Sequence, residues 1–141
     1  MLGSLYLHTA AFSAAALLAS LVPAFLIMAL AVVNAIPDFH QDRLVGKRNL
    51  CVRVGRRRAV TLYLGLASAG LVVVPIGVVA GLLPWPCLAA LLAVPLLAKS
   101  GRVALTTYES PRAFVPAVRN IVTCYLVAVL LVIAGLLVHA A

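Results

Sequence analysis

Four long apolar runs divide this chain, and each is long enough for a membrane-spanning helix. The first covers 14–36, and its 23 residues would measure roughly 34 Å as an α-helix, which exceeds the thickness of a bilayer core. The others cover 59–83, 86–103 and a stretch that starts at Ser110-Pro111 and leaves the bilayer near His139. The pattern predicts four transmembrane helices.

The ends of these runs carry helix signals. Ser13 can cap the first helix through its side chain, and Pro111 suits the first turn of the fourth. The third run is interrupted by Lys99 and Arg102, whose long side chains would have to extend to the membrane surface. Residues 1–12 are too short to cross a bilayer.

Composition supports the same class. Hydrophobic residues make up 65% of the chain and charged residues 10%, against roughly 25% charged in soluble domains. The three cysteines have no metal-binding spacing. We therefore expect an all-α, polytopic membrane helix bundle, with residues 1–141 as a single membrane domain.

All eleven basic residues fall in two segments, 37–58 and 99–119, while the 84–86 turn and both ends of the chain carry none. Cytoplasmic loops are enriched in lysine and arginine. Both segments are therefore expected in the cytoplasm and both termini outside, in the plasma or inner membrane if the protein is bacterial. Arg56, Arg57 and Arg58 are interpreted mainly as topology determinants, and no nucleic-acid partner is expected.

Two of only three acidic residues lie four apart, Asp38 and Asp42, directly after the first apolar run. On a helix they would share one face, and Asn34, four residues earlier, would share it too. Two carboxylates that repel each other call for a cation. Mg²⁺ binds one or two carboxylates and is completed by water and substrate phosphates, so the pair is a candidate magnesium site.

Basic residues close behind the pair suggest what the metal would serve. Lys47, Arg48 and Arg53 follow within eleven residues, and cations beside a metal neutralise a diphosphate. The alternative is that these residues contact anionic lipid headgroups and pair with the aspartates.

The segment NAIPDFHQDRLVGKRNLCVRVG resembles the second aspartate-rich motif of the UbiA superfamily of intramembrane prenyltransferases. That motif reads N-x-x-x-D-x-x-x-D followed by G-K-x-x-L-x-V-R-x-G. The matching residues are Asn34, Asp38, Asp42, Gly46, Lys47, Leu50, Val52, Arg53 and Gly55. The second half of the pattern is most similar to the 1,4-dihydroxy-2-naphthoate branch, which serves menaquinone-like quinone biosynthesis.

The resemblance implies a nine-helix fold, of which this chain would supply the last four helices, with residues 1–12 ending the fifth. It implies transfer of a prenyl group from a prenyl diphosphate to an aromatic acceptor. Asp38 and Asp42 would be the catalytic, Mg²⁺-binding residues. The substrate-binding residues would be Asn34, Lys47, Arg48 and Arg53, with the 37–58 loop on the cytoplasmic side.

One part of the family pattern is missing, because the sequence has no second acidic pair and Glu109 stands alone. We therefore expect an N-terminal half, carrying the first aspartate-rich motif, to complete the site. The alternative function is that of a non-enzymatic four-helix membrane subunit or a scaffold that binds anionic lipids.

Overall fold

A computed structural model of the protein describes residues 13–140, and in that range the fold is all-α without a strand. The α-helices are α1 (Ala14–Asn34), α2 (Phe39–Leu44), α3 (Leu50–Val54), α4 (Arg56–Val79), α5 (Val94–Thr107) and α6 (Pro111–Ala140). A 3₁₀ helix, Trp85–Ala93, leads directly into α5. Within residues 13–140, four segments are long and apolar enough to cross a membrane: α1, α4, the continuous Trp85–Thr107 segment and α6. The predicted membrane helix bundle is confirmed.

The first two long helices form one close pair. Val22, Leu26, Ala29 and Val33 are fully buried along one stripe of α1, spaced by three and four residues as one face of a helix requires. Gly70 of α4 lies against this stripe, where an added Cβ would be 3.2 Å from the Val22 carbonyl oxygen. A small residue therefore lets the two backbones approach.

The other close pair joins α6 to the Trp85–Thr107 segment. Its 3₁₀ half buries Cys87, Ala90 and Ala93, at intervals of three because a 3₁₀ helix has three residues per turn. Gly135 of α6 lies against this row, since a Cβ there would be 2.7 Å from the Cys87 backbone nitrogen.

A polar contact links three helices inside the bundle. The buried Ser100 hydroxyl of α5 donates a 2.8 Å hydrogen bond to the Ala117 carbonyl of α6. The Tyr63 hydroxyl of α4 lies 3.3 Å from the same Ser100 oxygen. Both hydroxyls thus have partners in a region where unsatisfied polar groups are costly.

Several predicted boundaries were wrong. α4 ends at Val79 instead of residue 83, because Gly81, at φ +69°, closes a Schellman motif in which the Leu82 N–H donates to the Gly77 carbonyl at 2.9 Å. It also begins at Arg56 rather than residue 59. Ser13 does precede α1, but its side chain makes no capping hydrogen bond. Pro111 begins α6 as predicted, whereas the expectation for residues 1–12 lies outside the described residues.

Candidate functional site

The chain breaks its helix between Asn34 and Asp38, because Pro37 has no N–H to donate. The last turn tightens instead, with the Ile36 N–H donating to the Val33 carbonyl at 3.2 Å. The predicted continuous face through Asn34, Asp38 and Asp42 was therefore wrong. Asn34 is the last residue of α1 and is exposed, and a turn separates it from both aspartates.

The two aspartates do share one helical turn. The Asp42 N–H donates to the Asp38 carbonyl at 2.9 Å, which is the i to i+4 bond of an α-helix. Asp38 occupies the N-cap position of α2 without a capping hydrogen bond to its side chain and is exposed, whereas Asp42 is only 8% exposed. One carboxylate thus faces solvent and the other lies within the loop.

Both oxygens of the Asp42 carboxylate have partners. Its Oδ1 accepts an ion-pair hydrogen bond from Lys47 Nζ at 2.8 Å, and its Oδ2 accepts from Asn49 Nδ2 at 2.7 Å. The chain can reverse here because Gly46 adopts φ +73°, a conformation that glycine reaches without steric cost. Each oxygen of this buried carboxylate therefore has a hydrogen-bonding partner.

The charges of both aspartates act on Lys47. Its pKa lies above the ordinary value of 10.5 because its ammonium is hydrogen-bonded to Asp42 and attracted by the charge of Asp42, and the charge of Asp38 adds to this. The three groups therefore form one electrostatic cluster. Lys47 remains 66% exposed, so its ammonium can reorient in water.

The remaining predicted substrate-binding residues lie apart from this cluster. Arg48 and Arg53 are exposed like Asn34. Within residues 13–140, no hydrogen bond or ion pair joins these three side chains to either aspartate. The structure thus brings together Asp38, Asp42 and Lys47, and it leaves the two arginines on the surface of the same loop.

Asn49 is a site residue that our sequence analysis did not single out. Its Oδ1 accepts the Val52 N–H at 2.9 Å, so it caps α3, and its amide nitrogen holds Asp42. The signal was available, because asparagine just before an apolar stretch is a preferred helix cap.

Arg56 also does more than mark topology. Its Nη1 donates to the Glu109 carbonyl at 3.1 Å, and its guanidinium lies 5.3 Å from the Phe39 ring centroid, within the range of a cation–π contact. These contacts tie the start of α2 to the second basic segment. Both basic segments therefore lie on the same side of the bundle.

Comparison with known proteins decides the family. The model of the UbiA prenyltransferase family matches residues 1–122. This chain belongs to the UbiA prenyltransferase family. Searches of curated proteins and of solved structures gave no match.

UbiA membership implies a prenyl diphosphate and an acceptor as substrates, and a lipid bilayer as environment. The four apolar helices agree with an integral membrane protein. The match spans the α2–α3 loop, so the cluster around Asp42 lies inside the matched residues.

Proposed function

We propose that this chain takes part in transferring a prenyl group from a prenyl diphosphate to an aromatic acceptor, with Asp38 and Asp42 as a Mg²⁺-binding pair. The observation that carries the proposal is that Asp38 and Asp42 lie one helical turn apart at the start of α2, with the Lys47 ammonium hydrogen-bonded to the Asp42 carboxylate. UbiA membership supports the reaction class.

The donor set fits magnesium. Carboxylate oxygens are the ligands that Mg²⁺ prefers, and it needs only one or two of them. No group of three or more His, Cys, Asp or Glu side chains placed to hold a metal occurs among residues 13–140, which disfavours a closed all-protein metal site. When bound, Mg²⁺ would supply positive charge to the diphosphate oxygens.

The basic residues of the loop would serve the leaving group. Lys47, Arg48 and Arg53 can neutralise the negative charge that grows on the diphosphate as its bond to the prenyl carbon breaks. The bonding electron pair leaves with the diphosphate. The acceptor ring then attacks the allylic carbocation, and the attacked ring carbon passes its proton to the released diphosphate, which restores aromaticity.

We base the identity of the aromatic acceptor on the resemblance of the loop motif. G-K-x-x-L-x-V-R-x-G supports a 1,4-dihydroxy-2-naphthoate-like acceptor, and therefore a role in making a menaquinone-like quinone. The whole chain contains three acidic residues, which supports an N-terminal half that supplies the first aspartate-rich motif. The positive-inside pattern supports a cytoplasmic active-site loop.

The test is prenyl transfer in membranes that contain the complete reading frame, with a panel of aromatic acceptors. Asp38→Asn and Asp42→Asn should each lower the rate roughly 100-fold or more, since each removes charge that stabilises the transition state. Glu109→Gln is the matched control, because it neutralises the remaining carboxylate of the sequence. Aspartate variants within twofold of the parent would refute the proposed site.

The need for a second half is tested separately. Residues 1–141 alone should be inactive, and co-expression with an N-terminal half should restore activity and membrane yield. Robust Mg²⁺-dependent transfer by the purified chain would refute this requirement. A complete protein that transfers no prenyl group but binds anionic lipids through its loops would favour the scaffold alternative.

A further inference from the structure

Both the oxygen and the nitrogen of the Asn49 side-chain amide make hydrogen bonds. Its oxygen accepts the Val52 N–H at 2.9 Å, and its nitrogen donates to Asp42 Oδ2 at 2.7 Å. A backbone N–H can only donate and a carboxylate can only accept. Only one orientation of the amide therefore satisfies both partners, and the asparagine is fixed between α3 and the carboxylate.

We propose that Asn49 is a positioning residue that fixes the Asp42 carboxylate by Oδ2 and presents its Oδ1 side to a divalent cation. This inference rests on the proposed function, in which Asp42 is a metal ligand. It concerns a residue that the family pattern quoted above leaves unspecified, since position 49 falls on an x of G-K-x-x-L.

The two partners of Asp42 differ in how firmly they are held. The side chain of Lys47 is 66% exposed, and among residues 13–140 its ammonium has an ion pair only with Asp42, so it can give way to a cation at Oδ1. Asn49 is half-buried and anchored to the first turn of α3. Asn49 therefore remains in place while the lysine exchanges.

Such a hydrogen bond matters because a free carboxylate rotates among several orientations. A partner outside the ligand set that holds one oxygen fixes the direction of the other, and the loss of such partners typically lowers metal affinity 10- to 100-fold. The arrangement also spares Asp42, which is 8% exposed, from the cost of an unpaired buried charge.

The capping and positioning roles can be separated. Asn49→Ser keeps a side-chain oxygen that can accept the Val52 N–H, but serine is too short to reach Asp42 at the same time. Asn49→Ala removes both contacts. Cys51, 1% exposed and one residue inside α3, reports on the cap, because loss of α3 would open its thiol to alkylation.

The experiment measures Mn²⁺ affinity by electron paramagnetic resonance, using the complete protein in nanodiscs. Asn49→Ser should weaken Mn²⁺ binding roughly tenfold while the alkylation rate of Cys51, assigned by peptide mass, stays at the parent value. In an Asp42→Asn background the same change should have no further effect, because a positioning residue acts only through the group it holds.

Three results would overturn the inference. One is unchanged Mn²⁺ affinity in Asn49→Ser with a loss only in Asn49→Ala, accompanied by faster Cys51 alkylation, which would make Asn49 a helix cap alone. Another is an equal loss with and without Asp42. A third is an Asp42→Asn protein that binds Mn²⁺ as tightly as the parent.

Prenyl transfer measured on the same samples separates this inference from the proposed function. Coupled Asn49 and Asp42 effects on Mn²⁺, without transfer to any acceptor, would support the positioning role and refute the proposed reaction. Prenyl transfer that depends on Asp42 but not on Asn49 would support the proposed reaction and refute the positioning role of Asn49.

Discussion

Arg56 donates a 3.1 Å hydrogen bond to the main-chain carbonyl of Glu109, a residue 53 positions later in the chain. This contact joins the start of α4 to the turn before α6, and the Phe39 ring under the same guanidinium adds the start of α2. One arginine therefore links three segments, namely the start of α2, the start of α4 and the turn before α6.

We predict that Arg56→Gln loosens these segments. Loss of a partly exposed charged hydrogen bond and a cation–π contact should cost about 1 kcal/mol. Amide hydrogen exchange in 39–44 and 107–110 should then be roughly fivefold faster. Arg57→Gln is the control, because Arg57 is exposed and its side chain has no hydrogen bond within residues 13–140. Equal exchange in the two variants would contradict the bridging role.

A second prediction compares two glycines in membrane helices. Gly135→Ala would place its Cβ 2.7 Å from the Cys87 nitrogen and 2.9 Å from the Pro86 carbonyl carbon, and main-chain atoms cannot swing aside as a side-chain tip can. We expect a destabilisation of about 1–3 kcal/mol, measured by thermal unfolding in detergent. Gly65→Ala is the matched control, because nothing lies within 4 Å of its added Cβ. Equal melting temperatures for the two variants would contradict the close backbone contact at Gly135.

A third prediction concerns pH. Burial raises the pKa of the Cys51 thiol above its ordinary value of 9.0, the Asp42 charge acts in the same direction and Arg56 opposes it. Above about pH 9 the unfolded chain releases this proton while the folded chain keeps it, so the free energy of unfolding should fall as pH rises.

The measurement is denaturant unfolding between pH 8 and pH 10, with Cys51→Ser as the comparison. Serine does not titrate in this range, so the variant should show a shallower decline. Identical slopes would mean that the thiol has the same pKa in both states. Alkylation of the native protein by iodoacetamide should also be slow at pH 8, since the thiolate is the reactive form.

The fourth prediction is topological. Arg57 and Arg112 are exposed and lie in the two basic segments, which the positive-inside pattern assigns to the cytoplasm. Arg57→Cys and Arg112→Cys should resist an impermeant thiol reagent in sealed right-side-out vesicles and react once the vesicles are permeabilised. Background is low, because the three native cysteines are buried. Labelling of either position in sealed vesicles would contradict the cytoplasmic location of that segment.

For the part of the chain that the structure describes, the sequence was sufficient to predict four membrane helices, because long apolar runs leave few other structures in a bilayer. The ends of the helices were harder to predict from the sequence. The end of α4 depends on the Schellman motif at Gly81. The break before Asp38 depends on Pro37, which removes a backbone N–H that spacing by four residues does not take into account.

At the candidate site, sequence spacing placed the two aspartates correctly on one turn. The pairing of a basic residue with an aspartate was one of the alternatives that the sequence left open, and Lys47 with Asp42 is such a pair. The burial of Asp42 and its contact with Asn49 were not predicted, because that arrangement depends on how the chain reverses at Gly46. Periodicity along a single helix cannot describe contacts that return across a loop.

Because Trp85–Ala93 is a 3₁₀ helix, the length of the Trp85–Thr107 segment cannot be calculated from the α-helical rise per residue alone. At about 2.0 Å per residue these nine residues advance roughly 18 Å, where an α-helix would advance about 13.5 Å. Counting residues alone therefore underestimates its reach. Three residues per turn also align Cys87, Ala90 and Ala93 in a straight column against α6. Deleting a single residue ahead of that column would turn Leu88 and Leu91 toward α6 in place of these small side chains.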